Sequence, residues 1–232
     1  MTTCRVRASA VLAAVASIAA FTACGGGDGG RDATASRAQR SIQPRAQQRA
    51  EASLLEPGDF PPGWRATPSR RDEEAEDLIR SCLGLDFSEL TIVGEAVSRN
   101  FAARHTQASS RATVFTDDEQ AEEAFDKRAE GMDGPAAERC FDAQIEELNG
   151  VEVDRVDVFP VPVSRPHGID QVAGWQIVVT ATLLPESPST TVYLGLVALR
   201  RGDTVAQLQS TDARPSSPSL RVKLVRALAR RM

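Results

Sequence analysis

The sequence predicts an α+β fold: a mostly antiparallel sheet of about five to six strands, packed with helices into an αβ sandwich. Three observations lead there. The second half of the chain alternates apolar and polar residues with period two and is rich in β-branched side chains. Neighbouring strands are separated by short turns, which join antiparallel pairs rather than crossover units. Segments with apolar residues at helical spacing flank those strands and can cover the sheet.

In chain order, LLEPGDFPPGW at 54–64 is a proline-rich turn whose Leu54, Leu55, Phe60 and Trp64 are expected to pack on the domain edge. Asp72 to Leu83 reads as a helix, with acids in its first turn, Leu78, Ile79, Cys82 and Leu83 on one face, and Gly84 ending it. EAVSRNFAAR alternates as a strand, and SSRATVFT pairs back on it after a turn at His105. Thr116 and Glu119 match a capping box opening a helix that Gly131 and Gly134 stop. Pro135 starts the next helix, with Ala137, Cys140, Phe141, Gln144, Ile145 and Leu148 on one stripe. Then come VEVDRVDVFPVPV, WQIVVTATLL, TTVYLGLVALR and TVAQLQSTD, read as strands, the last two joined by a hairpin turn at Gly202. Ser219 is expected to cap a final helix with Leu220, Leu224, Val225 and Leu228 inward and a basic outer face.

The N-terminus sets the expected compartment. Arg5 and Arg7 precede an apolar run from Ala8 to Ala23, a basic n-region and an h-region too short for a comfortable membrane span. The run ends Phe21-Thr22-Ala23-Cys24, which resembles the lipobox of bacterial lipoproteins. That resemblance implies a lipoprotein signal peptide over 1–23, removed before a diacylated Cys24. Its acyl chains, palmitate among the usual ones, would anchor the protein on the extracytoplasmic face of the cell membrane. Residues 24–51, glycine-rich and then rich in Arg, Gln, Ala and Ser, are expected to be a flexible linker with a typical reach of roughly 30 Å. Residues 52–232 suffice for a single domain.

The net charge of −5 argues against nucleic acid as a partner. Lys127 and Lys223 are the two lysines, and the excess of arginine reads as the compositional bias of a high-GC genome. Of the four cysteines, Cys4 leaves with the signal and Cys24 carries the lipid. Cys82 and Cys140 remain, and in an oxidising compartment they read as one disulfide. The alternative is a catalytic thiol, which would need His105 or His167 beside it.

LLEPGDFPPGW, a helix ending in SCLG, the segment ATVFTDDEQAEEAF and a helix bearing ERC together resemble the exported sensor domains of actinobacteria, found as lipoproteins and as the extracellular part of PknH-type receptor kinases. Related lipoproteins of the LpqN kind have PsbP-like sandwiches. The resemblance implies a disulfide-stapled α+β sensor domain with a cleft over the sheet, and it brings no catalytic residues.

No motif for chemistry stands out. GGGDGG lacks the strand, helix and Lys-Ser/Thr of a phosphate cradle, and neither a serine-hydrolase elbow nor a histidine metal pattern occurs. The acidic clusters fall on outer helix faces, and Arg201-Gly202-Asp203 reads as a hairpin turn rather than an adhesive signal. No cofactor, metal or catalytic residue is assigned. Trp64, Trp175 and Tyr193 are the aromatic residues best suited to line a ligand pocket. The expectation is a non-enzymatic envelope lipoprotein whose sensor-like domain binds an envelope ligand or protein. The alternatives are an envelope hydrolase with a site assembled only in the fold, and a scaffold or assembly factor.

Overall fold

A computed structural model describes residues 38–69, 80–146, 151–183, 188–215 and 217–232. The expected signal peptide over 1–23, Cys24, the glycine-rich stretch and residues 72–79 of the first expected helix lie outside these residues.

The fold is α+β: a nine-stranded, mostly antiparallel sheet with helices on both faces. The strands are β1 (Gln39–Arg40), β2 (Arg65–Thr67), β3 (Thr91–Val97), β4 (Asn100–Ala103), β5 (Thr106–Phe115), β6 (Val151–Pro160), β7 (Gln171–Leu183), β8 (Thr190–Arg201) and β9 (Thr204–Asp212). The helices are α1 (Pro44–Ala52), α2 (Asp118–Met132), α3 (Pro135–Glu146) and α4 (Pro218–Arg231). Strands run β1-β3-β5-β9-β8-β7-β6 across the sheet, with β4 also on β5 and β2 on β4. The count exceeds the expected five to six for two reasons. The EAVSRNFAAR strand is broken at Ser98-Arg99 into β3 and β4, both of which pair with β5. Two short strands, β1 and β2, also pair at the sheet's margin.

Alternation along each strand sends side chains to two cores. On one face Trp175, Ile177, Val192, Leu194 and Phe115 meet α2 and α3. On the other, Leu199, Ala206 and Leu208 meet α4 and the 55–64 turn, and Val93, Ala112 and Val114 meet α1. Phe60 stacks on Phe101 with centroids 4.3 Å apart and touches Trp64 at 4.8 Å, so the proline-rich turn is pinned as its apolar residues suggest. Arg231 closes this side by ion pairs to Glu56 at 2.9 Å and Asp59 at 3.2 Å.

Over its described residues, 38–51, the expected linker 24–51 is part of the folded domain. Residues 38–43 run along β3 with backbone bonds to Leu90, Ile92 and Val93, and α1 lies on the sheet with Ala46 and Ala50 fully buried. The physical reason is close approach. A Cβ at Gly94 would fall on the Ala46 carbonyl and within 2.7 Å of the Gln47 nitrogen, so glycine lets the helix backbone rest directly on the strand. Gln47 completes the contact: its amide donates to Glu95 O at 3.0 Å and accepts from Glu95 N at 3.1 Å, as a neighbouring strand would.

Helix ends differ from expectation by a residue or two. Asp117, not Thr116, caps α2, accepting from Gln120 N at 2.9 Å, because Thr116 is used to extend the β3 pairing through Thr91 O. Gly131 lies within α2, where Leu85 crosses it. Ser217 precedes α4, with Pro218 at the first helical position. Cys82 and Cys140 form the expected disulfide, with Cα atoms 5.4 Å apart, joining the helical turn that ends at Cys82 to α3.

Candidate functional site

Between the sheet and its α2–α3 layer lies a cavity of about 300 Å³, at the lower end of the range for small-molecule sites. Its floor is five neighbouring strands, and its polar side chains come from three of them. On β3, β5 and β9 Glu95, Arg111, Thr113, Gln207 and Gln209 line it together with the apolar Ile92, Val97 and Phe115. On β8 and β7 the inward residues are Leu194, Leu196, Ala198, Trp175 and Ile177. The roof is mostly apolar, with Leu83, Leu85, Phe87, Met132, Phe141 and Ile145, and it carries two charged groups, Arg128 and Arg80.

Arg128 is the central group of the polar end. It follows Ala121, Ala124 and Phe125 on the core-facing stripe of α2 and precedes Met132, so helical period alone turns it inward. With the Gln207 amide oxygen facing it, its Nε and Nη1 donate to that oxygen at 2.8 and 3.0 Å. Its guanidinium carbon sits 5.7 Å from the Phe87 ring centre. Burial, together with the charge of Arg80 and against the pull of Glu95, lowers its pKa to about 10. Beside it, Glu95, whose side chain is 7% exposed, lies 3.8 Å from both Arg40 and Arg111. Among the described lining residues four are arginines, Arg40, Arg80, Arg111 and Arg128, and one, Glu95, is a carboxylate.

The three aromatic candidates separate. Trp175 is buried in the cavity wall, and its indole N–H donates to Asp133 at 2.7 Å, which fixes the ring. Trp64 lies on the opposite face against Phe60, and Tyr193 alternates with the inward Val192 and Leu194 and so points to that opposite face too. The structure therefore brings one of the three to the cavity. Neither histidine lines it: His105 sits in the β4–β5 turn and His167 in the loop before β7. Among the described residues no group of three or more His, Cys, Asp or Glu is placed to hold a metal ion. Asp203 of the Arg-Gly-Asp turn is held by Arg49 through two bonds of 3.0 and 2.7 Å, and Gly202 takes a φ of 55°.

Sequence reasoning passed over the arginines, reading them as compositional bias. The available signal was positional: an arginine on an otherwise apolar helix stripe, and Arg111 between Ser109 and Thr113 on the inward phase of β5. A scan against protein-family models and a search of curated proteins gave no match for this chain.

Proposed function

We propose that this chain is a cell-envelope lipoprotein, anchored through an acylated Cys24, whose folded domain is a non-catalytic, sensor-like binder of a small envelope ligand. The observation that carries the reading is the cavity: a partly enclosed, mostly apolar space with its polar floor residues gathered on three neighbouring strands, under a helical roof that a disulfide braces. The disulfide fits an oxidising compartment. The helix roof and fixed Trp175 suit a preformed site, in which little ordering entropy is lost on binding.

Native mass spectrometry of the full chain carrying Cys24→Ser, purified from its own host, tests the binding part. A small molecule retained in stoichiometric amount supports it. A ligand-free protein with turnover on an envelope substrate, abolished by one polar substitution in the cavity, would instead favour the hydrolase. Metabolic labelling with palmitate tests the anchor: label must enter the wild-type chain and not the Cys24→Ser variant.

A further inference from the structure

We propose that the cavity takes an anionic amphiphile with one apolar chain, its carboxylate or phosphate head on Arg128 and its tail against Trp175, Leu194, Leu196 and Ile145. The inference deepens the ligand-binding reading above and rests on it.

Charge complementarity selects the head. Arg40 and Arg111 lie 3.8 Å from Glu95, whereas Arg128 donates to the neutral Gln207 amide and lies against the Phe87 ring, with Glu95 acting on it only through space. A guanidinium held in a cavity wall with only neutral hydrogen-bond partners is costly for the fold to keep charged. Glu95 is shared with Arg40 and Arg111, so a bound oxyanion would add a counter-charge directly on Arg128, and the planar donor fork suits the two oxygens of a carboxylate or phosphate. Wall polarity selects the rest. The polar floor residues are confined to β3, β5 and β9, which also carry Ile92, Val97 and Phe115, whereas β8 and β7 contribute only apolar ones, so a molecule lying across the strands would pass from a mixed, charged end to a purely hydrocarbon one. The cavity's modest 300 Å³ favours one chain over two.

The test uses the full chain carrying Cys24→Ser and Trp64→Phe, in which Trp175 is the remaining tryptophan. Decanoate, decyl phosphate, decanol, decyltrimethylammonium and inorganic phosphate are titrated below their micellar concentrations, read by Trp175 emission and by calorimetry. Decanoate, decyl phosphate or both are expected to bind, with the tighter of the two identifying the head. Decanol is expected to bind at least tenfold more weakly, and inorganic phosphate and the cation not measurably. Arg128→Gln, which keeps a side-chain donor for Gln207, should weaken the anionic probe tenfold or more and leave decanol unchanged. Leu196→Phe, which fills part of the apolar end and leaves Trp175 as the single reporter, should weaken anion and alcohol alike.

Equal binding of decanol and decanoate, or an Arg128→Gln variant that binds both as before, overturns the anionic head while leaving a ligand-binding cavity in place. Failure of every probe while another molecule co-purifies with the protein overturns the amphiphile but not the binding domain. Failure of every probe with no co-purified molecule removes both.

Discussion

A single hydrogen atom at Gly94 decides whether α1 can lie on the sheet, because any Cβ there would meet the helix backbone rather than a movable side chain. Gly94→Ala is therefore expected to cost about 2 kcal/mol, seen as a fall in the thermal midpoint of several degrees with the β signal retained. Arg128 makes the opposite kind of prediction. Its folded pKa, about 10, lies below the ordinary guanidinium value, so the fold disfavours its charged form. A base with a lowered folded pKa weakens stability at neutral pH. That penalty is relieved as pH rises above about 10 toward the unfolded value. Arg128→Gln should accordingly melt no lower than wild type at pH 8, even though it loses the anionic ligand, and a clear drop in its midpoint would count against a functional reason for the charge. Anion affinity in the wild-type protein should decline as pH passes about 10. At this scale the sequence offered Trp64, Trp175 and Tyr193 alike, and only the fold puts Trp175 in the cavity wall. The face to which a strand or turn residue points depends on the register of its neighbours.

Elements were legible where periodicity was strong. The long strands β5 to β9 and helices α2 to α4 follow their hydrophobic pattern, and the disulfide follows from two cysteines on inward helix positions. The bridge closes a sequence separation of 58, for which chain entropy gives about 4 kcal/mol. Reduction, or the Cys82→Ala/Cys140→Ala pair, should lower the denaturant midpoint by an amount of that order, checked by urea unfolding with and without dithiothreitol. Helix α1 was illegible, because its contacts are made by alanines and a glycine rather than by large apolar residues. A chain beginning at Ala38 should match the full-length protein in thermal midpoint. One beginning at Ser53 would expose Val93, Ala112 and Val114 and should melt lower and be cut faster by protease.

At the scale of the molecule, the proposed function combines an anchor read from the first residues with a cavity formed by the whole sheet. If the anchor is as proposed, Cys24→Ala should move the protein from the membrane fraction to the soluble one on cell fractionation, while the thermal midpoint of the domain stays the same. The sequence by itself determined the α+β class, the antiparallel preference, most element positions and the cysteine pair. Each of these is set by local periodicity, turn chemistry or a count. Only the tertiary structure decided that residues 38–52 join the domain and that arginines from a margin strand, a central strand and a helix meet at one end of a cavity. Trp175 and the leucines of β8 close the other end. These are non-local facts: β3, β5, β9, β8 and β7 become neighbours through the strand order, and no pattern confined to one segment records which strand lies beside which.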